Sequence, residues 1–155
     1  MRYNLKMLEP QIIYEDENFL AINKPNGLMI HHARVSASRK IREEDPTLVD
    51  WLISRYPQIV TVGDDKILRP GIVHRLDKET SGVMIVAKNQ KYFEYLKLLF
   101  QEHLTLKNYR AIIFGIPKKE SGIIDAPIGI KNGTLKRIMF QKSLDFLFDI
   151  DPRCG

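Results

Sequence analysis

The densest cluster of reactive side chains lies between Gly71 and Lys88, in the run GIVHRLDKETSGVMIVAK. Asp77, with a carboxylate reference pKa of about 3.9, is ionised at neutral pH and can serve as a nucleophile without an activating base. Arg75, two residues earlier, carries a fixed charge with five donors suited to phosphate, and a flat face suited to a nucleobase. Two accounts fit these residue types. Arg75 and Asp77 form a structural ion pair while Thr80 and Ser81 bond the turn backbone, or the loop is a site. His31 and His32 invite a metal role, but neighbours on an extended chain point in opposite directions, and no second ligand cluster lies near them. The sequence therefore offers no metal centre there.

The elements that would hold this loop follow from pattern. Ile72-Val73 and Val83-Met84-Ile85-Val86 are short apolar runs that predict interior strands on either side of it, and loops so anchored often carry function. Upstream, Gln11–Tyr14 and Asn18–Asn23 read as two strands joined by the acidic turn Glu15-Asp16-Glu17, a hairpin that Pro25-Asn26-Gly27 stops. Pro46-Thr47 opens a helix in which Thr47 and Asp50 are spaced as a capping box. Leu48, Leu52 and Tyr56, joined by Val49 and Ile53, share a face of that helix, and Trp51 completes the packing surface. Asn89 caps a second helix running to about His103, with Phe93, Leu96, Leu99 and Phe100 at helical spacing. Tyr109 begins a further predicted strand, Ala111-Ile112-Ile113-Phe114, closed by Gly115 and Pro117. Strands and helices in this order predict an α+β fold.

At 155 residues the chain is one domain by size, with room for a real core. Its 24 Lys and Arg against 19 Asp and Glu leave a net charge of +5, which favours an anionic partner such as a polynucleotide. The single Cys154 excludes an internal disulfide and a cysteine-rich metal site. No apolar run approaches the roughly 18 residues of a membrane span, and the start MRYNLKMLEPQ has no signal-peptide core, so a cytoplasmic location is expected. From Ala33 to Asp45 the chain is polar, with Arg34, Arg39, Lys40 and Arg42 in its middle. That stretch is either a plain surface loop or a clamp on RNA phosphates, in which Arg39, Lys40 and Arg42 each add salt-sensitive affinity.

HRLDKETSG, followed by a β-branched run and by Lys107-Asn108-Tyr109-Arg110-Ala111, resembles the catalytic signature of the RluA-type RNA pseudouridine synthases. Ile13-Tyr14-Glu15-Asp16 and Asn23-Lys24-Pro25-Asn26-Gly27 resemble that family's opening hairpin and its K-P-x-G turn, so the likeness covers residues 11 to about 130 in order. It implies a mainly antiparallel, mixed sheet with flanking helices, and isomerisation of uridine to pseudouridine in tRNA or rRNA. It also implies that Asp77 is the nucleophile. Arg75 then fills the vacated base stack or holds the displaced base, and Tyr109 lies against the uracil. His74 and Thr80 join the substrate-binding group, His74 by orienting the loop rather than as a general base. Neither redox nor hydrolysis is involved, so neither cofactor nor metal is implied.

The resemblance fades toward the end of the sequence. After Ile128-Gly129 the expected G-R-x-H-Q-I-R segment and its preceding basic residue do not follow. The expected division is a partial catalytic domain over residues 1–137 and an atypical tail over residues 138–155. Leu144, Phe146, Phe148 and Ile150 alternate in that tail as one amphipathic strand. A shortened family member would look like this, and its alternative to an active enzyme is an inactive RNA-binding remnant. A third possibility, an unrelated α+β enzyme using Asp77 and Glu79 as an acid/base pair, is disfavoured by their nearly adjacent positions in one turn.

Overall fold

The structure, a computed structural model, describes residues 9–32, 46–117, 120–123, 127–130 and 137–139. The chain divides into two units, Met1–Lys107 and Asn108–Gly155.

The first unit is built on a three-stranded antiparallel sheet in the order β1 (Gln11–Glu15), β2 (Phe19–Lys24), β3 (Gly82–Ala87). The β1–β2 hairpin is set by its turn, where one carboxylate oxygen of Asp16 accepts from the amides of Asn18 and Phe19 at 2.7 and 2.9 Å. An aspartate bonding the backbone two and three residues on is a local turn code, which is why this hairpin is legible in sequence. Along β2, Leu20, Ile22 and Lys24 face the core and pair with Val86, Met84 and Gly82 of β3. The period of two puts their neighbours Phe19, Ala21 and Asn23 on the opposite face.

Helix α1 (Leu48–Arg55) lies on the core face and buries Leu48, Val49 and Leu52. Its predicted capping box is present: the Thr47 hydroxyl accepts from the Asp50 amide, and the Asp50 carboxylate accepts from the Thr47 amide at 2.8 Å. Trp51 packs against the same core. A 3₁₀ turn at Pro57–Thr61 adds Ile59, and the chain then reaches the loop through Gly71. Helix α2 (Gln90–Gln101) is capped by Asn89, whose side chain accepts from the Tyr92 amide at 2.9 Å. It stops just short of the predicted His103 because that residue turns left-handed, with φ at 55°. The Leu104 amide then bonds back to the Leu99 carbonyl at 2.9 Å, a Schellman-type closure made here without glycine.

Two predicted strands are absent. Ile72-Val73 makes only an isolated bridge, Ile72 to Val86, so the loop is strand-anchored on its C-terminal side alone. Ala111–Phe114 pairs with nothing among the described residues and is exposed, with Ile112 and Phe114 largely in solvent. An apolar β-branched run supplies propensity, but a strand exists only where a partner offers its ladder. In the second unit the described pairing is instead an antiparallel hairpin of β4 (Ile128–Ile130) and β5 (Arg137–Met139), which pattern did not pick out. The basic stretch with Arg39, Lys40 and Arg42, and the amphipathic tail strand, lie outside the described residues.

Candidate active site

The HRLD loop is fixed from three directions, each by backbone chemistry. On its N-terminal side it lies along the open edge of β3. The Ala87 amide donates to the Gly71 carbonyl at 2.9 Å, and the Ile85 amide donates to Nε2 of His74 at 3.0 Å. The imidazole thus stands where a neighbouring strand would have offered a carbonyl, and it satisfies an edge amide that otherwise has no partner. The ring is stacked on Phe100 of α2, with centroids 4.2 Å apart and planes 17° from parallel. Burial, with a smaller push from the Lys107 charge, holds the His74 pKa down to about 4, so the ring is neutral at physiological pH.

From below, the loop is held by the turn Lys24-Pro25-Asn26-Gly27. The Lys24 side chain is completely buried, yet its ammonium donates to the carbonyls of Pro25 and Leu28, each at 2.9 Å, and of Lys78 at 3.0 Å. Three donors meet three acceptors, which is what makes a buried ammonium tolerable. Burial lowers the Lys24 pKa, and the carboxylates of Glu79 and Asp77 pull it back up. The Gly27 amide adds a bond to the Lys78 carbonyl at 2.8 Å, and the Asn26 side-chain amide donates to the Glu79 carbonyl. Gly27, at φ 86°, adopts a conformation that glycine takes without penalty.

The third fixture is internal. The loop alternates inward and outward: Leu76 is 7% exposed and belongs to the core, whereas Arg75 and Asp77 on either side of it are exposed. A turn from Asp77 to Thr80, closed by the Thr80 amide on the Asp77 carbonyl at 3.1 Å, follows at once. Leu76 is therefore the pin that turns the two charged side chains out of the fold.

The ion-pair account of the loop fails on this geometry. Among the described residues the Asp77 carboxylate has neither a hydrogen bond nor a salt bridge, and Arg75 has none either. The turn is closed by backbone, not by the hydroxyls of Thr80 and Ser81. Of the other nominated residues, His74 and Thr80 sit in the same loop, half-buried. Tyr109 belongs to the second unit and is exposed. His32 is engaged elsewhere, its Nε2 lying 3.2 Å from the capping carboxylate of Asp50. No group of three or more His, Cys, Asp or Glu residues with metal-binding geometry occurs among the described residues.

Sequence pattern missed the residues that position the site: Leu76, Lys24, Asn26 and the edge amide of Ile85. The alternation Arg-Leu-Asp inside a polar run was the available signal for Leu76, since a lone apolar residue there has reason to point inward. The same alternation makes Asp77 an anionic group presented outward on a rigid frame. Such a group is free to attack an electrophilic carbon or to accept a proton.

A family model described as RNA pseudouridylate synthase matches residues 18–145. An uncharacterised RNA pseudouridine synthase of Aquifex aeolicus is 40% identical over 131 residues, which is 84% of this chain and 39% of the relative. The ribosomal large subunit pseudouridine synthase D of Pseudomonas aeruginosa is 40% identical over 122 residues, 79% of this chain and 34% of the relative. Among solved structures, human RNA pseudouridylate synthase domain containing 4 superposes with a TM-score of 0.56 at 26% identity, covering 86% of this chain and 49% of that one. The chain thus spans less than two-fifths of the length of these curated relatives. The family match runs through β2, the K-P-N-G turn, the HRLD loop and α2, and on these grounds the chain belongs to the RNA pseudouridylate synthase family, as a member of its RluA type with the α+β fold.

Proposed function

We propose that the protein isomerises uridine to pseudouridine in structured RNA, with Asp77 as the nucleophile. The observation that carries this is the outward Asp77 carboxylate, without a hydrogen bond or salt bridge among the described residues, on a loop locked by bonds from Lys24, Asn26, Gly27 and Ile85. A uridine inside folded RNA is stacked, so it must first be extruded at a cost of a few kcal/mol. Arg75, exposed beside Asp77, takes the place of the extruded base or holds it. Asp77 attacks the nucleoside and the bond from the sugar to the base nitrogen breaks. The uracil turns, a ring carbon of the base bonds to the same sugar as the bond to Asp77 breaks and frees the carboxylate, the proton on that ring carbon leaves, and the released nitrogen gains one. The base is never released. Tyr109 holds it by stacking, worth about 1–3 kcal/mol per base in comparable contacts. His74 and Thr80 join in binding the substrate, and Arg39, Lys40 and Arg42 grip the RNA backbone.

Nothing in this sequence of steps is oxidised or hydrolysed, so the chain's own side chains suffice. The relatives named as ribosomal large subunit enzymes support rRNA over tRNA as the proposed substrate, and with it a cytoplasmic place of action. An RNA-binding remnant without activity is the alternative reading. Incubating the chain with bulk cellular RNA and counting pseudouridine separates the two. Turnover supports the enzyme, and salt-sensitive binding without new pseudouridine supports the remnant.

A further inference from the structure

The bond between Ile85 and His74 fixes more than the loop. A backbone amide can only donate, so the His74 Nε2 that receives it at 3.0 Å must carry a lone pair. A neutral imidazole with an accepting Nε2 keeps its proton on Nδ1. The stack on Phe100 holds the ring plane, and within that plane the bond from the Ile85 amide selects the orientation, because a half-turn of the ring would keep the stack but put a carbon where Nε2 now accepts. Among the described residues the Nδ1–H has no hydrogen-bond partner, and His74 is half-buried. One cation lies near the ring: the Lys107 ammonium is 5.1 Å from the centroid of the Phe100 ring on which His74 is stacked, and its charge is felt at the imidazole.

We propose that His74 Nδ1–H is a phosphate donor: it hydrogen-bonds a non-bridging oxygen of the RNA backbone beside the nucleotide at Asp77, with Lys107 supplying charge to the same stretch of backbone. This rests on the RNA reading of the site and adds to it a fixed tautomer and a phosphate contact. A neutral donor and a nearby cation divide the work. His74 contributes direction and affinity without charge, and Lys107 contributes charge.

The division can be measured on the full chain. His74→Gln keeps an acceptor for Ile85 but moves the side-chain donor off the position of the imidazole Nδ1; it weakens binding of a uridine-bearing stem-loop RNA about tenfold, the scale of a hydrogen bond to a charged group, with the salt slope unchanged. Lys107→Ala makes the slope shallower by about 0.7. Nitrogen-15 spectra of the histidine-labelled protein, with His74 assigned among the four histidines by its loss in His74→Gln, give a protonated Nδ1 at neutral pH. That signal moves when the stem-loop binds, and moves less when the phosphates flanking the target uridine are methylphosphonates, whose remaining phosphoryl oxygen is an uncharged and weaker acceptor. An Nε2–H tautomer, an imidazolium, or an Nδ1 signal unmoved by bound RNA overturns the proposal, as does a shift undiminished by methylphosphonate, which would make a base carbonyl the acceptor. RNA bound with the expected signature but never isomerised defeats the enzymatic reading and leaves this phosphate bond standing. Isomerisation with an unmoved Nδ1 defeats the phosphate bond alone, and RNA that does not bind defeats both.

Discussion

At the scale of single residues, a few side chains convert a polar loop into a frame. Lys24 is the most demanding of them, because its charge is tolerated in the interior only while three carbonyls receive its protons. Lys24→Met removes the donors and leaves the acceptors, so it is expected to destabilise the first unit by about 1–3 kcal/mol, read from the denaturant midpoint. Pseudouridine formation should fall by more than the folded fraction does, since the Lys78 carbonyl is released with it. His74 makes a prediction of its own. Its pKa is about 4 in the folded chain against 6.5 for the ordinary group, so between these values the unfolded state binds a proton that the native state refuses. Stability therefore rises with pH across that window and is lost as pH falls from about 6.5 toward 4. Glu15, Asp16 and Asp50, whose pKa values are lowered, act in the same direction but only below their own ordinary values near 4.5 and 3.8. Melting the wild type and His74→Gln across pH 7 to 5 separates the two. The variant should show a flatter profile there, and identical profiles would remove His74 as the cause.

At the scale of elements, what was legible in the sequence was what is encoded locally. The Asp16 turn, the Thr47–Asp50 box and the Asn89 cap are written within three or four residues, and each is present. The segments misread as strands, Ile72-Val73 and Ala111–Phe114, depend on partners distant in sequence, and no local pattern states whether a partner exists. The clamp between the Lys24 turn and the Lys78 turn is likewise non-local, spanning 54 residues, and was visible only as a family resemblance. Gly71 shows how tightly these elements are fitted. At φ 70° it takes a left-handed conformation, and a Cβ there would lie 2.6 Å from the Ala87 carbonyl oxygen and 2.7 Å from the Ile59 side chain. Gly71→Ala is expected to cost about 1–3 kcal/mol through crowding, with backbone strain in addition. A thermal melt unchanged from wild type would mean that β3 and the 3₁₀ turn yield more readily than their packing implies.

At the scale of the whole molecule, charge and partial coverage matter most. The excess of five positive charges and the exposed Arg75 and Lys107 suit a polyanion. The basic stretch around Arg39 is expected to contribute to the same affinity. Replacing Arg39, Lys40 and Arg42 together with alanine should weaken RNA binding and make its salt dependence shallower by about 2 in slope, at about 0.7 for each single-strand phosphate that is no longer neutralised. An unchanged slope in a binding titration at several salt concentrations would remove the clamp. Sequence resemblance named the family and nominated Asp77. The frame that turns Asp77 outward became visible only once β2, β3 and the loop between them were folded together. The central claim is that this carboxylate is the nucleophile, and the direct measurement is pseudouridine formation by wild type and Asp77→Asn, with RNA affinity measured in parallel. The expected result is complete loss of product with affinity within about threefold of wild type, since the substitution removes a charge but scarcely alters shape. Product formed by Asp77→Asn at a rate near that of the wild type would contradict the account.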